Sequence, residues 1–188
     1  MFAIDYDGTI AGTNFVKSRW IREHLGLDVP PHLCDHTDCA PLTGGEEVYA
    51  RLAAYAYSAE GSRLAPPVPG ALEALERIAA AGPIIIMSHR LAEQVPHARE
   101  WLAARGALGL VKDIVSSAGQ KKVDFARRLG CRVLIDDDGR HLAGDAADLV
   151  RIHLRFGSDE PAAEHDGVWV CATWEDVLAR ALEATTKK

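Results

Sequence analysis

The sequence predicts an α/β protein: a Rossmann-like parallel sheet with helices on both faces and a small helical cap inserted after the first strand. Three observations carry this reading. Short apolar runs recur along the chain, separated by stretches with apolar residues at helical spacing. The runs show no polar face, as strands covered on both sides of a parallel sheet require. The interval between the first two runs far exceeds the roughly 30 residues of one strand–helix–strand unit. Long structureless loops are rare, so that interval must fold by itself.

Phe2–Asp5 is the first expected strand, followed by Pro83–Met87 ("PIIIM"), Ile114–Val115, Arg132–Ile135 ("RVLI"), Val150–Leu154 and Val168–Cys171. Between the later ones lie "ALEALERIAAAG", "VPHAREWLAARG" and "KKVDFARRLG", closed by Gly82, Gly106 and Gly130. Glycine after the last periodic residue is a helix-ending signal. Pro96 suits a first helical turn, which starts the second of these helices near Gln94–Val95. Thr173 and Asp176 form a capping pair for a final helix over Trp174–Leu182, and the "TTKK" tail is expected to fray.

The long interval divides the chain into a core, residues 1–14 and 67–188, and an inserted helical cap, residues 15–66. The cap offers two helical patterns, "FVKSRWIREHLG" and "EEVYARLAAYAYSAEG", and "APPVPG" marks the return to the core. Between the patterns lies "HLCDHTDC", where His32, Cys34, His36 and Cys39 are ligand types that suit zinc. Their spacing matches no usual finger, and only an extended segment would align the first three. A reduced, turn-rich loop is the simpler expectation.

At 188 residues the chain fits one domain with an insertion, and a net charge of −6 gives no support for nucleic acid or an anionic membrane as the main partner. No apolar run approaches the roughly 20 residues that span a bilayer, and no basic region precedes a long apolar stretch at the N-terminus, so no secretory leader is expected. The four cysteines then read as reduced thiols of a cytoplasmic protein.

Ligands of open parallel sheets bind beyond the carboxyl ends of the strands. Four such ends carry polar groups here. The first delivers Asp5 and Asp7, the second Ser88 with His89 and Arg90, the fourth Asp136, Asp137 and Asp138. The helix after the short strand at Ile114 opens with Lys121 and Lys122. Clustered carboxylates repel unless a cation or proton lies among them. Hard oxygen donors suit Mg²⁺, whereas a hydroxyl and a lysine suit an anion. Together they describe a phosphoryl-transfer site. Singly, each has a plain reading: turn residues, a helix cap, a solvated face.

The order of these groups resembles the haloacid-dehalogenase-like (HAD) hydrolase superfamily. "DYDGT" is similar to its first motif, "IIIMS" to its second, "KK" before "VDFARRLG" to its third and "LIDDD" to its fourth. The resemblance implies that Asp5 is a nucleophile forming an aspartyl-phosphate. Asp7 is then the acid that protonates the leaving oxygen and later activates water. Period-two geometry aims both at one substrate. Ser88 and Lys122, with Lys121 as the rival lysine, would bind the phosphoryl oxygens. Mg²⁺ would be held by Asp5, the Asp7 carbonyl and Asp137, with Asp136 in support. Gly8, Thr9, His89 and Arg90 are the expected substrate contacts, and Asp138 is expected to leave the site with the turn. An aspartate at the position of Asp7 favours phosphatase or phosphomutase chemistry, since dehalogenases of the superfamily lack that acid.

"PVPGALEAL" and "LIDDD" together resemble, more narrowly, the deoxyribonucleotidase-like branch, which implies a nucleotide or other small phosphoester as substrate. Trp20, Tyr49, Arg51, Tyr55, Tyr57 and Arg63 are the cap residues that would choose it. Two alternatives are a phosphatase acting on the phosphorylated ends of nucleic acid and a receiver-like phospho-acceptor domain. The second needs an acid ending the strand before the lysine, where this chain has "DIVSSAG".

Overall fold

A computed structural model describes residues 1–159 and 161–186. Among the described residues seven strands form one sheet: β1 (Phe2–Ile4), β2 (Ile84–Ser88), β3 (Asp113–Ser116), β4 (Val133–Asp136), β5 (Val150–Leu154), β6 (Ala163–His165) and β7 (Val168–Cys171). Their order is β3-β2-β1-β4-β5-β7-β6, parallel throughout except the β6–β7 pair. Strand β6 was not expected from the sequence. It is a polar three-residue edge with none of the apolar signal of the others.

Alternation within the strands builds a core on each face. Phe2, Ile4, Ile84, Ile86, Val133 and Ile135 face the helices α5 (Ala71–Ala81), α6 (Val95–Ala104) and α8 (Trp174–Thr186). Ala3, Met87 and Leu134 face α7 (Lys122–Arg128), through Val123 and Ala126. The expected caps hold: Thr173 Oγ1 accepts from the Asp176 amide at 3.2 Å and donates to its carboxylate at 2.7 Å. Helix α8 runs four residues beyond the expected Leu182, and the last two residues of the tail, Lys187 and Lys188, lie outside the described residues.

Four helices fill the insertion: α1 (Thr13–Leu25), α2 (His36–Thr43), α3 (Glu46–Ala56) and α4 (Ala59–Leu64). They share a small core of their own, in which Trp20, Ile21, Cys34, Cys39, Tyr49 and Leu52 are buried. Two expectations change. The second half of "HLCDHTDC", from His36, begins helix α2, because the Asp35 side chain accepts from the Asp38 amide at 2.9 Å and opens a turn. The second pattern is two helices, because Ser58 caps the Gly61 amide at 3.1 Å and restarts the chain as α4.

Candidate active site

The strand order changes direction at β1, which lies between β2 and β4. Such a switch point opens a crevice at the strand ends. Ile4 pairs with Ile86 on one side and with Ile135 on the other, so Asp5, Ser88 and Asp136 leave the sheet at one end.

Lys122, the first residue of α7, is inserted among these groups with 1% of its surface exposed. Its Nζ donates to Asp5 Oδ1 at 2.5 Å and to Asp136 Oδ2 at 2.6 Å. Lys121 is exposed outside the site, so of the two lysines only Lys122 meets the carboxylates. Burial alone would strip Lys122 of its proton, but Asp136 and Asp5 outweigh it and hold the ammonium above its ordinary range. For Asp136, burial is likewise overcome, by Lys122 and His141, and the carboxyl is held down at about 2. Both its oxygens are occupied: Oδ1 accepts from the Asp138 amide at 3.0 Å and lies 3.1 Å from His141 Nδ1. Asp5 goes the other way. Burial first, then repulsion by Asp136 and Asp7, raise it against the pull of Lys122.

Asp137 completes the acidic group. Its Oδ2 accepts from Asn14 Nδ2 at 2.7 Å, its Oδ1 from Thr9 Oγ1 at 3.3 Å, and its backbone oxygen lies 2.9 Å from His153 Nε2. Burial, then Asp5 and Asp136, push this carboxyl well above the usual range. One oxygen from each of Asp5, Asp136 and Asp137 lies within 4.8 Å of the others, the only such metal-competent group among the described residues. Hard oxygen donors on Asp5 and Asp137, both raised toward taking up protons, with the Asp136 charge beside them, fit a divalent cation. Gly8 makes the approach possible. Its φ of 79° is a left-handed one, and a Cβ there would come within 2.0 Å of Asp137 Oδ2.

Asp7 opens onto the same cavity. Arg90 grips its carboxylate, Nε to Oδ2 and Nη2 to Oδ1, each at 2.9 Å, and the Ser88 hydroxyl lies 3.3 Å from Oδ2. The remaining arm of Arg90 donates to Ser62 of the cap at 2.7 Å, and its guanidinium lies 5.0 and 5.2 Å from the Tyr6 and Tyr57 rings. The cavity, of about 330 Å³, is walled by Asp5, Asp7, Asp136 and Asp137 on the core side and by Lys17, Asp35, His36, Tyr49 and Tyr57 on the cap side. His89 and His141 stand at its edge with ring centroids 5.0 Å apart.

Several expected contacts are placed differently. Gly8 and Thr9 lie behind Asp137 and are buried, because the turn is folded under the carboxylate. Arg90 borders the cavity, but with 1% of its surface exposed its guanidinium is engaged by Asp7 and Ser62. Asp138 does not leave the site. It is buried, caps Arg140 through its backbone amide at 3.0 Å and holds the Arg140 guanidinium at 2.6 Å. Of the cap candidates, Tyr49 and Tyr57 reach the cavity, whereas Trp20 stacks on His24 at 4.3 Å and Arg51 and Arg63 are exposed. His32, Cys34, His36 and Cys39 form no metal-competent group, because α2 carries His36 away to Glu46 and Arg140, at 2.8 and 2.9 Å. All four cysteines are free and buried.

Sequence reasoning missed Asn14, Lys17, Arg140, His141 and His153. The first two fall in an ordinary amphipathic pattern, and nothing local marks them. The "DDDGRH" run does place Arg140 and His141 within five residues of Asp136, a proximity that was available.

No protein-family model matches the sequence, and no curated protein does. Solved structures do match. A HAD family hydrolase from Deinococcus radiodurans R1, with bound phosphate and sodium, superposes with a TM-score of 0.59 at 15% identity, covering 97% of this chain and 95% of that one. A protein described as a HAD hydrolase from Bacillus subtilis, bound to magnesium, gives 0.56 at 13% identity, covering 96% and 97%. L-2-haloacid dehalogenase from Xanthobacter autotrophicus, with chloropropionic acid covalently bound, gives 0.57 at 13%, covering 95% and 96%. The chain therefore has the fold shared by the HAD hydrolases. No helix among the described residues is long and apolar enough to cross a membrane.

Proposed function

We propose that the protein is a Mg²⁺-dependent phosphomonoester hydrolase that works through an aspartyl-phosphate on Asp5. The observation that carries this reading is the pair Asp5 and Asp7. Both line one cavity, with a buried lysine behind the first carboxylate and an arginine orienting the second.

In this reading Asp5 attacks the phosphorus and the ester P–O bond breaks. Asp7 delivers a proton to the departing oxygen, so the alcohol leaves neutral. Asp7 then takes a proton from water as that water attacks the phosphorus of the acyl phosphate. Inorganic phosphate leaves and Asp5 is regenerated. Lys122 and Ser88 offset the negative charge that gathers on the phosphoryl oxygens. Asp5 and Asp137 would hold Mg²⁺, with Asp136 locking Lys122 and the chain around them; when bound, the ion neutralises phosphoryl charge as a Lewis acid. Arg90 orients Asp7 and so acts as a positioning residue.

The test is turnover of an aryl phosphate by wild type, Asp5→Asn and Asp7→Asn, beside a screen of nucleotides, sugar phosphates and phosphorylated DNA ends. Asp5→Asn should remain folded and lose turnover. Asp7→Asn should lose about 10²–10⁴-fold, the usual contribution of a positioned acid, while still binding a phosphate analogue. Appreciable turnover by Asp5→Asn, or hydrolysis of 2-haloacids in place of phosphate esters, would reject the assignment.

A further inference from the structure

Among the described residues, Lys17 is the one lysine or arginine of the cavity wall without an acidic partner. Lys122 is held by Asp5 and Asp136, Arg90 by Asp7 and Arg140 by Asp138. Lys17, on α1 of the cap, is 3% exposed, and its Nζ donates to the Cys34 carbonyl at 3.1 Å and the Tyr49 hydroxyl at 3.2 Å. It lies 5.4 Å from the ring centroids of both Tyr49 and Tyr57. No carboxylate among the described residues is within ion-pair distance of it. Burying an ammonium on neutral acceptors is unfavourable unless an anion joins it. Burial opposes the ammonium, but Tyr57 and Tyr49 and then Asp137 outweigh it and hold it above its ordinary range; a divalent cation would occupy the Asp137 charge.

The cavity is thus polar in two senses. Its core end holds most of the carboxylates and the proposed phosphoryl site; its cap end holds the Lys17 ammonium flanked by two phenols, with Asp35 elsewhere on the cap wall and bonded to the Asp38 amide rather than to Lys17. The cavity volume, about 330 Å³, admits a small molecule spanning both ends. Resting on the function proposed above, we infer that Lys17 and Tyr49 form a subsite for a second anionic group on the leaving alcohol. The substrate class is then a small phosphomonoester whose alcohol carries a carboxylate or a further phosphate. A neutral nucleoside leaving group gives Lys17 nothing to bind.

Three esters of matched length separate the possibilities: propyl phosphate, 3-phosphonooxypropanoate and propane-1,3-diol bisphosphate. Wild type should show a kcat/KM at least about tenfold higher for one of the two anionic esters than for propyl phosphate, as one charge-assisted hydrogen bond provides. Whichever anionic ester is preferred identifies the second group. Lys17→Met should erase that ratio, and Lys17→Arg should keep part of it. Tyr49→Phe removes only the hydroxyl that orients the ammonium and should lower the ratio in the same direction. Tyr49→Phe therefore decides the matter should Lys17→Met fail to fold by circular dichroism. Calorimetric binding of the same esters to Asp5→Asn protein reads the subsite without turnover. A wild type that hydrolyses no phosphomonoester rejects the proposed function, and the calorimetry still decides the subsite. Equal ratios in wild type, or a ratio that survives Lys17→Met or, in its place, Tyr49→Phe, overturn the inference.

Discussion

Arg90 holds both carboxylate oxygens of Asp7, at 2.9 Å each, and with its third nitrogen holds Ser62 of the cap. The residue two positions beyond the strand-end serine therefore serves the acid and ties the cap to the core. A planar fork fits a carboxylate in a way that a lysine cannot reproduce. Arg90→Lys should keep a positive charge near Asp7 yet lose the two-point grip and the Ser62 contact. Its kcat/KM for an aryl phosphate should fall at least about tenfold, a fraction of what a positioned acid contributes. An Arg90→Lys enzyme with wild-type kcat/KM would show that the grip has no part in catalysis.

The acidic group should make the cation-free protein less stable than it need be. Asp137 is repelled by Asp5 and Asp136. An amide at 137 removes that charge, can still accept from Asn14, and can donate to the Thr9 hydroxyl. Asp137→Asn should therefore melt higher than wild type in chelator. A gain of about 1 kcal/mol would raise Tm by about 2–4 °C in a chain of this size. Added Mg²⁺ should raise the wild-type Tm by mass action and leave the variant unmoved. Equal Mg²⁺ shifts in both proteins would remove Asp137 from the ligand set.

Much of this was legible in the chain. Strands buried on both faces announce themselves as apolar runs, and the helices α5, α6 and α7 end one, two and two residues before Gly82, Gly106 and Gly130. Asp5, Asp7, Ser88, Lys122, Asp136 and Asp137 were legible because each is tied to a strand end or a helix start. The cap was not. Helix α2 is opened by one side-chain cap, at Asp35, amid cysteines and histidines that read as a loop. Lys17 occupies a regular helical position, and its burial beside Tyr49 depends on how α1 and α3 pack. The contact of His36 with Arg140 joins residues 104 apart and exists only in three dimensions.

Stability without cations should fall as pH rises. In that state Asp5 titrates at about 7, because burial and then Asp136 and Asp7 oppose its charge more than Lys122 favours it. The unfolded carboxyl titrates near about 4. Between those values the folded protein binds the extra proton, so raising pH through the window favours the unfolded chain. Asp137 acts in the same direction. Asp136 is held down at about 2, so its stabilising contribution is complete above about 4 and does not tilt this window. Melting curves in chelator should show Tm declining from about pH 4.5 to pH 7.5, less steeply in Asp5→Asn and in Mg²⁺. A decline of the same slope in all three would assign it to other groups.

Gly8 offers the sharpest test of the turn beneath the acidic group. Two separate demands meet at this position. Its φ of 79° costs any residue with a Cβ, and that Cβ would lie 2.0 Å from Asp137 Oδ2 and 2.6 Å from Asn14 Nδ2. Asp137 cannot retreat without losing the Asn14 and Thr9 hydrogen bonds, at 2.7 and 3.3 Å, that fix its carboxylate. Gly26, which ends α1, separates the demands, since its φ of 67° is similar but nothing lies within 4 Å of its would-be Cβ. Gly26→Ala should show only the backbone cost, about 1–2 kcal/mol, with turnover unchanged. Gly8→Ala should add to that cost a displaced Asp137. Its Mg²⁺-induced gain in Tm should vanish, and its turnover should fall at least about a hundredfold, as when a misplaced group disrupts a reacting geometry. A Gly8→Ala protein that matches Gly26→Ala in both stability and Mg²⁺ response would mean that the turn and Asp137 are not in contact as described.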